Sequence, residues 1–321
     1  MRTRLCDLLG IDFPIIQAAM SIFGSAELVA AVSNAGGLGS LGCWRRPPDD
    51  VARQLSLIRE QTGRPFAVNH VVPALDETAF DVTLRARPTA MSLALADPGP
   101  LVQRAHDAGI LVMQQVTTVS QARQAADRGV DVIIAQGCEG GGYVGRVAAL
   151  ALIPQVVDAV RPLPVVAAGG IADGRGLAAA LVLGAEGINV GTRFLASKEA
   201  PIDPVWKQMI VDAEAEDAVC VEALNDIIPM PGNYGYRTVN RSLRTPFIDT
   251  WQERRDEAKR RADDLRGQLL AAVQQGRVHE LIPTAGQCAG LIHDIVSASN
   301  IVRRLVEEAR AALEHTSKRL I

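Results

Sequence analysis

The chain has 321 residues and a formal net charge of −3, with 48% apolar and only 4% aromatic residues. This near-neutral balance argues against a polyanionic partner such as nucleic acid, and no apolar run reaches the roughly 18–20 residues that a membrane-spanning helix needs. The first residues include acids and no long apolar stretch, so we expect no secretory signal and a cytoplasmic protein. Five scattered cysteines without a CxxC pair indicate neither a disulfide framework nor a structural zinc site.

Short β-branched runs recur from the start of the chain, and a segment with helical periodicity follows each of them. Many of these helical segments end in glycine, as helices often do. Strand–helix alternation repeated eight times is typical of a (β/α)8 TIM barrel. The predicted strands cover residues 14–19, 38–42, 66–72, 90–95, 111–116, 130–137, 164–170 and 187–192.

A doubly wound parallel sheet is the alternative fold. It requires a glycine-rich fingerprint that follows an early strand. The early glycine-rich stretch GGLGSLG, residues 36–42, instead runs into a predicted strand. The pattern therefore favours the barrel.

The segment from residue 199 to residue 285 departs from the alternation. It contains helical pieces and, from Thr250 to about Gln275, a predicted helix of mixed charge. The apolar period of residues 289–313 predicts the eighth barrel helix. We therefore predict a barrel made of residues 1–198 and 286–321. Residues 199–285 form a mostly helical insertion after the eighth strand, a candidate lid over the C-terminal face where TIM-barrel active sites lie.

The carboxyl ends of the predicted strands carry amides and glycines. These ends meet at one face of a parallel barrel, so their side chains should share one site. They offer no acid pair, no Ser/His/Asp set and no metal-ligating cluster, and we expect no metal. Amides bind the edge of a polar heterocycle without imposing charge, and glycine-ended strands offer N–H groups to a phosphate. The site therefore favours a phosphorylated flavin, which would carry the redox chemistry.

The most informative segment is AQGCEGGGYVG, residues 135–145, where a predicted buried strand runs into Gln136, Glu139 and closely spaced glycines. Together with PIIQAAM, GGLGSLG, AVNHV, VVAAGGIADGRG, GINVGTRFL and AGQCAGLI, it resembles the nitronate monooxygenase family, formerly called 2-nitropropane dioxygenases. The resemblance spans all eight predicted strands and the terminal helix. It implies a TIM barrel that holds non-covalent FMN.

The resemblance also implies which residues contact the cofactor. In the family these contacts come from the third strand, from the sixth-strand motif and from the backbone of the seventh and eighth strands. With the remaining strand ends, the expected FMN-binding residues are Ala18, Ala19, Met20, Asn69, Gln114, Gln136, Gly141, Gly142, Gly169, Gly170, Asn189, Val190, Gly191 and Thr192.

Two positions depart from the family's pattern. Ala19 replaces the usual proline of the first motif, and Tyr143 replaces the histidine that ends the Gly-Gly-His of the sixth-strand motif and acts there as catalytic base. With a usual pKa of about 10, a tyrosine is a hydrogen-bond donor and a poor base at neutral pH. A substrate that arrives as an anionic nitronate needs no base, so Tyr143 is expected to bind its nitro oxygens, and neutral nitroalkanes should react slowly.

For several other candidate residues, the sequence leaves both a functional and a structural interpretation open. His70 is a second candidate for catalysis, although strand alternation turns it away from Asn69. Glu139 either orients a ligand or caps backbone N–H groups. Four arginines either bind an anionic substrate or keep the surface soluble, namely Arg146, Arg237, Arg241 and Arg244. Three aromatic residues either cover the flavin or anchor the lid, namely Tyr234, Tyr236 and Trp251.

Three functions are compatible with these patterns. The favoured one is a nitronate monooxygenase that oxidises alkyl nitronates with O2 to a carbonyl compound and nitrite. The second is an NAD(P)H-dependent flavin reductase of quinones or of enoyl thioesters of CoA or ACP, and the third is a non-enzymatic FMN-binding protein. We expect a small molecule as the partner, and the sequence leaves a homodimer open.

Overall fold

The computed structural model describes residues 1–229 and 236–320, and Tyr234 lies outside these described residues. The helices are α1 Arg4–Leu9, α2 Ala26–Asn34, α3 Pro48–Gln61, α4 Glu77–Ala86, α5 Leu101–Asp107, α6 Val119–Asp127, α7 Ala149–Val160, α8 Gly174–Val182, α9 Thr192–Leu195, α10 Pro204–Asp212, α11 Glu222–Ile227, α12 Pro246–Glu253, α13 Arg255–Arg260, α14 Ala262–Gln274 and α15 Ala298–Leu320. The strands are β1 Ile15–Gln17, β2 Gly39–Gly42, β3 Phe66–Val71, β4 Ala90–Ala94, β5 Leu111–Val116, β6 Val132–Gln136, β7 Gly142–Val144, β8 Val165–Ala168, β9 Gly187–Val190, β10 Ala218–Val221 and β11 Val239–Leu243.

Eight of the strands form one parallel sheet in the order β1-β9-β8-β6-β5-β4-β3-β2. A parallel bridge between Ile16 and Leu38 joins the two outermost strands, so the sheet closes into a barrel. Every strand of the barrel lies within the bounds predicted for it, and β5 coincides with the prediction of residues 111–116. The (β/α)8 TIM barrel is thereby confirmed.

The barrel interior is filled at its amino-terminal end. There the inward side chains of the strands, such as Ile16 and Met113, pack with Leu5 and Leu9 of α1, and all four are almost completely buried. A second apolar layer lies between the outer faces of the strands and the surrounding helices. Because the amino-terminal end is closed in this way, a ligand is accommodated at the carboxyl ends of the strands.

Between α9 and α15, the described residues hold five helices, α10–α14, and also two strands that the sequence patterns did not indicate. These strands, β10 and β11, form an antiparallel sheet with β7, which comes from the loop after β6. The prediction of one continuous charged helix from Thr250 to Gln275 is wrong. The backbone leaves the helical region at Arg254 (φ −113°, ψ 45°) and at Arg261 (φ −103°, ψ 18°), which separates α12, α13 and α14.

The terminal helix α15 packs against α8 at very short range. The Gly174 N–H donates to a Glu308 carboxylate oxygen over 2.9 Å. A Cβ atom on Gly174 would lie only 2.3 Å from the backbone nitrogen of Ala309. A glycine is therefore required where the last barrel helix meets its neighbour.

Among the described residues, no helix is both long enough and apolar enough to cross a membrane.

Replacing Gly174 by alanine should destabilise the barrel, because the added methyl group meets backbone atoms that have no room to move. We expect the free energy of unfolding to fall by about 1–3 kcal/mol, the usual cost of overpacking. Gly267→Ala is the matched control, because Gly267 lies within α14 with nothing within 4 Å of its would-be Cβ. That exchange should stabilise the protein by about 0.5–1 kcal/mol. Urea unfolding of both variants tests this, and equal midpoints would contradict it.

Candidate active site

A cavity of about 230 Å³ lies at the carboxyl ends of the barrel strands. Its wall includes every residue that the sequence indicated for FMN binding except Gln114. It also includes Tyr143 and, from the chain after β9, Asn240, Thr284 and Cys288. The barrel and the inserted segment therefore share one cavity.

Gln114 turns away from this cavity. Its Nε2 donates to the Ala96 carbonyl over 3.1 Å and to the Tyr236 hydroxyl over 3.3 Å. Neighbouring side chains of a strand point to opposite faces, so Gln115 faces the cavity instead. The structure therefore gives no support for Gln114 as an FMN contact and places Gln115 in that position.

Neutral polar side chains form a belt around the inside of the barrel. Asn69 donates from Nδ2 to the Ser92 carbonyl and hydroxyl oxygens over 3.1 and 3.0 Å. Gln115 donates to Gln136 Oε1 over 3.0 Å, which leaves the Gln136 Nε2 group without an acceptor in the described part of the chain. The buried Ser40 hydroxyl also has no partner there. The belt offers unused donors and acceptors to a polar ring.

Two glycines after β8 present their backbone to the same cavity. Gly169 and Gly170 have φ values of +90° and +74°, which L side chains rarely adopt. A Cβ on Gly169 would lie 2.9 Å from the Gly137 carbonyl oxygen. The N–H groups of both glycines donate to no backbone carbonyl among the described residues. These groups are therefore available to an anionic ligand.

Tyr143 stands at the apolar end of the cavity. Its ring meets Trp44 edge to face with 6.0 Å between centroids, and both pack against Val71, Ala94 and Leu95. Burial raises the pKa of the Tyr143 phenol, and the charge of the nearby Arg45 opposes this only in part. The hydroxyl is therefore protonated at physiological pH and is able to donate a hydrogen bond.

The rest of the cavity wall is uncharged. Among the described residues that line it, Cys288 is the other titratable group, and burial raises the pKa of its thiol to about 11. The described lining includes no carboxylate, imidazole, ammonium or guanidinium group. No strong base therefore faces a ligand in this cavity.

His70 lies outside the cavity, and the structure does not support it as a catalytic residue. Its Nε2 is 3.0 Å from the Thr83 hydroxyl on α4, and its ring packs edge to face on Phe80. Burial lowers the pKa of His70 to about 4. Strand alternation, which turns Asn69 inward, places His70 between the strand and the helix layer.

The remaining charged candidates have structural partners. Both carboxylate oxygens of Glu139 accept from the Ala149 N–H at the start of α7, each over 3.0 Å, so Glu139 caps this helix. Arg241 is buried and donates to the carbonyl oxygens of Cys138, over 3.0 Å, and Ala218.

Two other candidates pair at the surface, Arg146 with Glu222 at 3.8 Å and Arg244 with Asp249 at 3.3 Å. Tyr236, through its bond to Gln114, anchors the inserted segment to β5.

The family model for nitronate monooxygenase matches residues 2–81 and 75–308, so the chain belongs to the nitronate monooxygenase family of flavoprotein oxidoreductases. It is 32% identical, over 70% of its length and 76% of the relative's, to a Staphylococcus saprophyticus protein named "Probable nitronate monooxygenase". It is 31% identical, over 99% of its length and 98% of the relative's, to (3aS,4S,5R,7aS)-5-hydroxy-7a-methyl-1-oxo-octahydro-1H-indene-4-carboxyl-CoA dehydrogenase from Mycobacterium tuberculosis.

Two solved structures share the whole fold. FabK from Thermotoga maritima aligns with a TM-score of 0.90 at 35% identity, covering 99% of each chain. Nitroalkane oxidase from Streptomyces ansochromogenes aligns with a TM-score of 0.83 at 27% identity, covering 97% of this chain and 99% of that one. The common architecture thus extends through the inserted segment as well as the barrel.

The environment of His70 predicts a pH effect on stability rather than on catalysis. The fold holds a neutral imidazole with a pKa of about 4, whereas the unfolded chain takes up a proton below a pKa of 6.5. Stability should therefore be complete above pH 6.5 and decline as the pH falls toward 4. The full loss should be roughly 3 kcal/mol at 1.36 kcal/mol per pKa unit.

In His70→Gln, which cannot titrate, the melting temperature should depend less steeply on pH between 6.5 and 4.5. The same exchange at the exposed His315 should leave the slope as in the wild type. An unchanged slope in His70→Gln would refute the assignment.

Proposed function

We propose that the cavity binds FMN. The polar belt, with Asn69, Gln115 and Gln136, would hold the ring system, and the backbone of Gly169–Gly170 and Asn189–Thr192 would hold the phosphate. Three observations support this: the Gln136 amide without an acceptor, the partnerless Ser40 hydroxyl, and the positive φ values of Gly169 and Gly170. When bound, FMN would supply the electron transfer and the reaction with O2.

We propose that the protein oxidises alkyl nitronates with O2 to a carbonyl compound and nitrite. The uncharged cavity wall is the observation that carries this proposal. A site without a carboxylate or an imidazole cannot readily remove the α-proton of a neutral nitroalkane. A nitronate has already lost that proton, so it requires only hydrogen-bond donors and an apolar surface for its alkyl group. Tyr143 supplies a donor, and Val71, Ala94 and Leu95 supply the surface.

We also propose that residues 199–285 act as the lid of the barrel. The pairing of β7 with β11 and the bond between Tyr236 and Gln114 hold this segment against the strand ends. It would exclude water from the bound substrate.

Removal of the Tyr143 hydroxyl should impair the reaction. For ethyl nitronate we expect Tyr143→Phe to lower kcat/KM by about tenfold, because a hydrogen bond to a charged oxygen contributes about 1.5 kcal/mol or more. Nitrite release in air measures this, and the visible spectrum reports the FMN content. Thr83→Val is the matched control, because it removes a buried hydroxyl that bonds His70 and the Ala79 carbonyl and does not line the cavity. A change smaller than about threefold in Tyr143→Phe would show that the hydroxyl takes no part.

A second function has its own support. The 31% identical relative is, by its name, a dehydrogenase of a CoA thioester, and the uncharged wall also suits a neutral carbonyl compound. The alternative is therefore an NAD(P)H-dependent reductase of quinones or enoyl thioesters.

Anaerobic addition of NADH or NADPH to the FMN-loaded protein separates the two functions. For a nitronate monooxygenase we expect the flavin absorbance near 450 nm to persist for minutes. Bleaching within seconds, together with no nitrite from ethyl nitronate in air, would favour the reductase. A purified protein that takes up no FMN would contradict both.

A further inference from the structure

Asn240 lies directly opposite Tyr143 in the sheet that joins the insertion to the barrel. Strand β11 pairs antiparallel with β7, and the register sets Asn240 against Tyr143. Side chains of directly opposed residues lie on the same face, with Cβ atoms about 4.5–5.5 Å apart. Both residues line the cavity. The insertion therefore places an amide beside the phenol.

A buried hydroxyl fixes the orientation of this amide. Ser242, which is completely buried, donates from Oγ to Asn240 Oδ1 over 2.7 Å. The carboxamide oxygen is thereby engaged, and the Nδ2 group donates to no protein atom in the described part of the chain. The Asn240 residue is only 7% exposed, and it lines the cavity. Its Nδ2 group is therefore available to a ligand in the cavity that supplies an acceptor.

The neighbour of Asn240 on the strand confirms which face the amide occupies. Arg241 points to the other face and donates to the Cys138 carbonyl over 3.0 Å. This bond ties β11 to the glycine-rich loop that carries β7. Because adjacent strand residues alternate, Asn240 is held toward the cavity.

We propose that Asn240 is a substrate-binding residue whose amide, together with the Tyr143 hydroxyl, binds the two oxygens of a planar anion. The inference rests on the proposed function, in which that anion is an alkyl nitronate. Two neutral donors side by side match the paired oxygens of a nitronate or of the equally planar carboxylate. The apolar residues beside Tyr143 then receive the alkyl chain.

This arrangement also accounts for selection of the anion. Hydrogen bonds to a charged oxygen are roughly twice as strong as those to a neutral one. A pair of neutral donors therefore favours the nitronate over the parent nitroalkane without placing a cation in the cavity. The insertion thus contributes directly to substrate binding in addition to covering the barrel.

The test uses the full-length, FMN-loaded protein and two measurements. Acetate, which is redox-inert, is titrated while the visible flavin spectrum reports its binding, and kcat/KM is measured for ethyl nitronate. We expect Asn240→Leu to weaken acetate binding and to lower kcat/KM, each by at least about tenfold. Asn240→Asp keeps the size of the side chain but faces the anion with a carboxylate, so its losses should be larger still.

Asn225→Leu is the matched control. It makes the same exchange within the insertion, at a residue whose Nδ2 donates to the Thr238 carbonyl over 3.0 Å and which does not line the cavity. Acetate binding and kcat/KM should remain within twofold of the wild type in this variant. If Asn240→Leu loses FMN on purification, Asn240→Asp decides the outcome.

The outcomes separate the two proposals. If acetate binding and kcat/KM both stay within twofold of the wild type in Asn240→Leu and Asn240→Asp, the role of Asn240 is wrong even though nitronates are oxidised. If the wild type releases no nitrite but binds acetate in a way that requires Asn240, the donor pair stands and the proposed oxidation of nitronates is wrong.

Discussion

The close approach of three backbone segments at the glycine-rich loop after β6 determines the rest of the site. A Cβ on Gly169 would lie 2.9 Å from the Gly137 carbonyl, and a Cβ on Gly286 would lie 2.7 Å from the Glu139 carbonyl. The Gln287 N–H donates to that same Glu139 carbonyl over 2.9 Å. Side chains at these positions would force the segments apart. Their absence allows β7 to form beside the barrel, and β7 in turn pairs with β11 and brings the insertion over the cavity.

The same packing explains why the cavity is neutral. The charged groups nearest the loop are engaged in holding the backbone: Glu139 caps α7, and Arg241 binds the Cys138 carbonyl. His70 is neutral and packed against α4. A charge left in the cavity without a partner would carry a desolvation cost of several kcal/mol. A neutral cavity admits an anionic ligand without like-charge repulsion, provided that hydrogen-bond donors such as Tyr143 replace the water that the anion loses.

Local patterns predict the barrel well, because each strand and helix of a TIM barrel has its own hydrophobic periodicity and because glycines mark the ends of many helices. Local patterns fail where the structure depends on contacts between residues that are far apart in the sequence. Gln114 and Gln115 are the same residue type in adjacent positions, so composition cannot tell which faces inward, and only the register of β5 decides. The pairing of Asn240 with Tyr143 joins residues almost a hundred positions apart, and no local signal indicates it. The helix predicted from Thr250 to Gln275 is the opposite case, since its composition is helical throughout but the backbone leaves the helical region at Arg254 and Arg261.

Family membership specifies the barrel and flavin chemistry, but it does not specify the reaction. FabK and nitroalkane oxidase have the same architecture over almost their whole length, so the architecture cannot distinguish them. In this chain, the barrel strands supply amides and glycines that suit any reaction of a flavin. The groups that would touch the reacting atoms of a substrate come from β7 and β11, which lie outside the barrel. In the proposed function, the choice of substrate would therefore depend on the pairing of Tyr143 with Asn240, two residues that lie outside the strands proposed to hold the cofactor.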